Sequence, residues 1–162
     1  MFFILNKSST FVGNIKDMII VIFGQPGAGK TTLAQRLILE RFYHIDGDKL
    51  RDIFKNKDYS KEGRIKNLNR ASDIAHYIAF TEGRDIVLSL VYPYEEAREY
   101  LRKLSKGVKW IYLIYEDDRN RDQFKVEDFE LPHMDNVDLI INTSNTSIEE
   151  SVNKIKNVCR IF

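Results

Sequence analysis

From Met18 onward, short apolar runs alternate with longer stretches whose apolar residues recur every three or four positions. That alternation predicts βαβ units building a parallel sheet. Predicted strands cover residues 19–23, 42–45, 86–90, 110–115 and 137–141. Predicted helices cover 33–41, 49–54, 64–82 and 95–104, with a closing helix capped by Thr146 or Ser147 and acidic at Glu149 and Glu150. In the longest helix, Leu68, Ala71, Ala75 and Ile78 share one face, and Gly83 ends it. The polar run 116–128 reads as a loop or flap. Residues 1–17 differ in pattern, with an apolar start followed by Asn6, Lys7, Ser8, Ser9 and Thr10. They are set apart as an N-terminal extension (an extra strand, a docking arm or a tail), leaving 18–162 as a single domain.

The chain's 162 residues suit one α/β domain. Its hydrophobic content of 43% and charged content of 30% are those of a soluble globular protein. A formal net charge of +1 provides no overall field for nucleic acid, so any anion site must be local. No apolar run is long enough for a bilayer, so no membrane partner is expected. One cysteine, Cys159, excludes an internal disulfide and points to a reducing cytoplasm. His44, His76 and His133 lack the spacing of a metal site.

The stretch IFGQPGAGKTT, residues 22–32, fits the Walker A pattern at every fixed position. Gly24, Gly27 and Gly29 let the backbone curl into an anion nest, to which Gln25, Pro26 and Ala28 also contribute main chain, and the following helix adds its positive end. Lys30 would reach the β- and γ-phosphates of ATP, and the Thr31 hydroxyl, with Thr32 beside it, would ligate Mg²⁺. Asp46 follows at the end of the second strand, where a parallel sheet gathers its ligands. On extended chain Asp46 and Asp48 would face the same side, able to take a proton from an acceptor hydroxyl and steady Mg²⁺. Asp48 would alternatively cap a helix beginning at Lys49. Arg64 and Asn67, three apart, share a helix face suited to an anion, and Tyr59 could stack on a base.

GQPGAGKTT, then DGDKLR, then DYSKEGRIKNLNR, in that order, resemble the adenylylsulfate kinases (APS kinases) from about residue 19 to 156. The resemblance implies a P-loop kinase, a three-layer α/β/α sandwich on a mostly parallel five-stranded sheet. It also implies phosphorylation of the 3′-hydroxyl of adenylyl sulfate by ATP with Mg²⁺. Asp46 would be the catalytic acidic position. Arg51, Arg64 and Asn67 would hold the sulfated nucleotide, and Tyr59 would contact its adenine. The family's habit implies a homodimer. Two departures stand out. Tyr92 replaces a serine and would crowd the pocket if it pointed inward. The lid after the fourth strand is compressed, leaving Phe124 as the second stacking aromatic and Arg119 and Arg121 as either lid cations or a solvated flap. Related readings are a kinase for another nucleotide or a sugar, and an ATP binder that transfers nothing.

Overall fold

A computed structural model describes residues 18–38, 42–117 and 122–161. The elements are β1 (Ile19–Phe23), α1 (Lys30–Ile38), β2 (Tyr43–Asp46), α2 (Gly47–Ile53), α3 (Lys61–Glu82), β3 (Ile86–Ser89), α4 (Glu95–Leu104), β4 (Lys109–Ile114), β5 (Leu139–Asn142) and α5 (Ile148–Cys159), in that order. Short 3₁₀ turns lie at Asp122–Phe124 and Met134–Asn136. The strands form one sheet in the order β2-β3-β1-β4-β5, every pairing parallel.

β1 is buried at all five positions, as a central strand covered on both faces must be. Its side chains alternate between two cores. Ile19, Val21 and Phe23 pack with Leu68, Ala71, Ala75, Ala97 and Leu101 beneath α3 and α4. Ile20 and Ile22 pack with Leu33, Ala34, Leu37 and Ile155 beneath α1 and α5. This is the expected three-layer sandwich. Because β1 sits centrally and the chain runs from it to either side, the crevice above its carboxyl end is the topological switch point.

Differences from the expected boundaries have local causes. α3 begins at Lys61 rather than Arg64, because the Ser60 side chain accepts from the Gly63 amide and caps the helix a turn before its apolar periodicity starts. Gly83 ends α3 in the left-handed conformation, φ 61°, as expected. Ser147 caps α5 through the Glu150 amide. α2 starts at Gly47, directly from β2, and its cap is Asp46: the carboxylate accepts from the Asp48 and Lys49 amides, so Asp48 is not the cap. No described helix is long and apolar enough to cross a membrane. The extension 1–17 lies outside the described residues.

Candidate active site

The glycine loop joins β1 to α1 at the switch point. Gly24, Gly27 and Gly29 take φ of 145°, 89° and 91°, values L side chains rarely adopt. At Gly24 a Cβ would fall 2.3 Å from the Leu113 carbonyl oxygen, so β4 as well as the dihedral demands glycine. The loop is braced from outside: the Tyr115 hydroxyl donates to the Pro26 carbonyl (2.9 Å) and the Thr143 hydroxyl to that of Ala28 (3.2 Å). Lys30 donates from Nζ to the Gln25 carbonyl at 2.8 Å. Burial lowers its pKa to about 8, against the opposing pull of Asp48 and Asp46.

Opposite the loop stands Asp46. Its Oδ2 accepts from Thr31 Oγ1 at 2.8 Å and from Ser89 Oγ at 3.2 Å, while Oδ1 caps α2. Burial pushes the carboxyl pKa up, but hydrogen bonds from Thr31, the Lys49 amide and Ser89 outweigh it and hold it below the ordinary value. The Asp46 carboxyl is therefore ionised at neutral pH. His44 Nε2 lies 2.7 Å from Ser89 Oγ. Since the single Ser89 proton goes to Asp46, His44 must carry its proton on Nε2 and donate it. Burial lowers the His44 pKa, which favours this neutral form.

The far wall of the cleft comes from α2, α3 and the turn between them. A space of about 910 Å³ is lined by Pro26, Gly27, Gly29, Lys30, Thr31 and Thr32 on one side, by Asp46, Asp48, Arg51, Tyr59, Arg64 and Asn67 on the other, and by Gln123, Phe124 and Lys125 at the rim. Arg51 is buried; its Nη1 donates to the carbonyls of Asp58 (2.8 Å) and Asn56 (3.3 Å), and its guanidinium lies 4.4 Å over the Tyr59 ring. Arg64 donates to the Tyr59 carbonyl and also lies over that ring, at 5.5 Å. Tyr59 thus organises two cations around itself. Asn67 donates from Nδ2 to the Gly47 carbonyl (3.4 Å), and its buried Oδ1 has no partner among the described residues. An acceptor left open on a cleft wall fits a ligand that brings a donor.

The structure brings most of the expected side chains to one cleft and sets others apart from it. Gly24, Gln25 and Ala28 belong to the loop but are not among the cleft-lining residues. Asp46 and Asp48 do not face one side of an extended chain, because α2 begins between them; the same-side pair is His44 and Asp46 on β2. Tyr92 borders the cleft, yet its ring is fully buried, edge-on to Trp110 with its hydroxyl 2.8 Å from Ser72 Oγ, so it thickens the core instead of crowding the ligand space. Arg119 and Arg121 lie outside the described residues. Ser89 was missed altogether. Only its register opposite Asp46, fixed by strand pairing, brings it to the site.

Among the described residues no three of His, Cys, Asp and Glu come together to cage a metal. Thr31 and Asp46 offer a hydroxyl and a carboxylate side by side, hard oxygens that fit Mg²⁺, which takes one or two protein groups and completes its shell with phosphates and water.

The model of the adenylylsulphate kinase family matches residues 16–123. The chain belongs to that family. A probable adenylyl-sulfate kinase of Aeropyrum pernix is 31% identical over 107 residues, 60% of this chain and 58% of the relative. A cytidine diphosphoramidate kinase of Campylobacter jejuni is 29% identical over 101 residues, 59% of each chain. The matches therefore span a little under three-fifths of either curated relative. An APS kinase of Mycobacterium tuberculosis, solved with AMPPNP and APS, shares the fold at a TM-score of 0.77 and 21% identity, over 90% of this chain and 98% of that one.

Proposed function

We propose that the protein transfers the γ-phosphoryl group of ATP to the 3′-hydroxyl of adenylyl sulfate. The observation that carries this reading is the position of Asp46, an ionised carboxylate held between the phosphate loop and a wall of arginines, 2.8 Å from the loop hydroxyl of Thr31. The glycine loop and Lys30 take the triphosphate. Lys30 leaves the Gln25 carbonyl for the phosphates, whose charge restores its proton affinity. Thr31 would offer an oxygen lone pair to Mg²⁺ while its hydroxyl still donates a hydrogen bond to Asp46 Oδ2. Thr31 and Asp46 would hold Mg²⁺, which would supply positive charge to offset that developing on the transferred phosphoryl group.

Asp46 accepts the proton of the attacking hydroxyl, and its hydrogen bonds from Ser89 and the α2 amides fix its direction toward the cleft. Arg51 and Arg64 face the acceptor's phosphosulfate, Asn67 Oδ1 takes a donor from it, and Tyr59 and Phe124 offer faces to its base. Most of the rate then comes from holding two anions in line, which is positioning and charge stabilisation.

The second reading is transfer to another nucleotide-like acceptor. It is favoured by the nearly equal identity to the C. jejuni kinase, whose name specifies a cytidine diphosphate derivative. The test is ADP release and product formation by purified protein with ATP and Mg²⁺, comparing adenylyl sulfate with cytidine and sugar acceptors. A 3′-phosphorylated product from adenylyl sulfate supports the first reading. Turnover only with another acceptor replaces it, and ATP binding without any transfer overturns both.

A further inference from the structure

Gln25 occupies the second position of the glycine loop, yet its side chain turns away from the cleft. Its Oε1 accepts from the Val126 amide at 2.9 Å, and its Nε2 donates to the Val126 carbonyl at 2.9 Å. The carboxamide pairs with both main-chain groups of one residue as a neighbouring strand would, across 101 positions of sequence. Val126 is buried, and the residues just before it, Gln123, Phe124 and Lys125, form the cleft rim. The far end of this strap is pinned elsewhere: the Glu130 amide donates to the Pro93 carbonyl (2.8 Å), Arg98 to the Glu130 carbonyl (2.9 Å) and Tyr94 to Asp128 (2.9 Å). Near the loop, Lys125 lies 5.7 Å over the ring of Tyr115, which itself holds Pro26.

We propose that Gln25 is a positioning residue that docks the strap 123–127 onto the phosphate loop and couples triphosphate binding to the placement of Phe124. The coupling has a physical route. The same residue that holds Val126 through its side chain holds Lys30 and the Ala28 amide through its carbonyl. A triphosphate that draws Lys30 off that carbonyl changes the bonding of the strap's anchor. Linkage requires the reverse as well: a docked strap raises nucleotide affinity by the factor by which nucleotide favours docking. Only a side chain carrying donor and acceptor on one planar group at this reach makes both bonds; leucine makes neither and glutamate one. This inference rests on reading the cleft as a nucleotide site.

The test is amide hydrogen exchange across 122–130 in the full chain, for wild type, Gln25→Ala and Gln25→Glu, with and without AMP-PNP and Mg²⁺, alongside calorimetric binding of AMP-PNP. Without nucleotide, losing the two bonds should speed exchange at Val126 by roughly tenfold or more. The Glu130 amide, pinned to Pro93, should remain within about threefold if the strap stays anchored at its far end. Gln25→Glu should fall between, and it serves should Gln25→Ala fail to fold. AMP-PNP should slow Val126 exchange in wild type and much less in the variants, which should bind it more weakly. Unchanged Val126 exchange in the variants overturns the clamp, and equal nucleotide protection in all three proteins overturns the coupling. Failure of wild type to bind AMP-PNP overturns the nucleotide reading and the coupling with it, while the nucleotide-free exchange still decides the clamp.

Discussion

Asp46 holds a helix and is also proposed to move a proton, so the two roles must be separated by choice of substitution. Asp46→Asn keeps an oxygen to accept from the Asp48 and Lys49 amides, now at 3.1 and 3.2 Å, and asparagine caps helices about as well as aspartate. Its amide nitrogen would meet Thr31 and Ser89, whose hydroxyls can rotate to accept, so folding stability should change by no more than about 1 kcal/mol. Asp46→Ala removes the cap and leaves those hydroxyls without their acceptor, costing about 1–2 kcal/mol. Activity should respond differently. Loss of a general base lowers turnover by roughly 10²- to 10⁴-fold, about 3–5 kcal/mol of barrier, and both variants should show it equally. Urea melts and steady-state ADP release, run side by side, read the two effects. Acid adds a check. The wild-type carboxyl has a depressed pKa, so its stabilising contribution is present above the ordinary carboxylate range and is lost as pH falls through the folded value. Any stability gap between wild type and Asp46→Asn should therefore close in acid. Retention of activity within about fivefold by Asp46→Asn would refute the base assignment, and a stability loss matching that of Asp46→Ala would refute the capping argument.

Three further outcomes follow from the same geometry. Burial sets the Lys30 pKa near 8, so the strain of its charge in the folded protein persists below that pH and is relieved as pH rises toward 10.5. Affinity for AMP-PNP should hold up to about pH 8 and then weaken by up to roughly tenfold per unit; calorimetry from neutral to alkaline pH should show this in wild type and a flat profile in Lys30→Ala. Gly24→Ala drives a methyl to 2.3 Å from the Leu113 carbonyl oxygen and should cost more than about 2 kcal/mol in a urea melt; a native-like melt would mean that the loop and β4 separate easily. Arg98 is wholly buried, bonded to Glu95, to the Tyr92 carbonyl and to the Glu130 carbonyl, so Arg98→Met should cost about 3–5 kcal/mol, and a loss under about 1 kcal/mol would show those partners finding water instead.

Much of the site was legible because its chemistry is local. The strand, glycine loop and helix from Ile19 to Ile38 are contiguous, and glycine, lysine and threonine at those offsets have few uses other than cradling phosphates. The parallel sheet was likewise written in apolar runs. Boundaries shifted wherever a polar cap, unmarked by hydrophobic period, set the true start, as Ser60 and Asp46 do.

What sequence alone determined was the order of elements and the glycine loop between β1 and α1, since each depends on spacings of four residues or so. Tertiary structure alone decided which of two aspartates caps α2, that His44 and Ser89 support Asp46, that Tyr92 turns into the core, and that Gln25 reaches Val126. The reason is physical: the Ser89–Asp46, His44–Ser89 and Gln25–Val126 contacts join strands by register and loops by packing across 43 to 101 positions, and spacing along one chain segment carries no information about what lies opposite it.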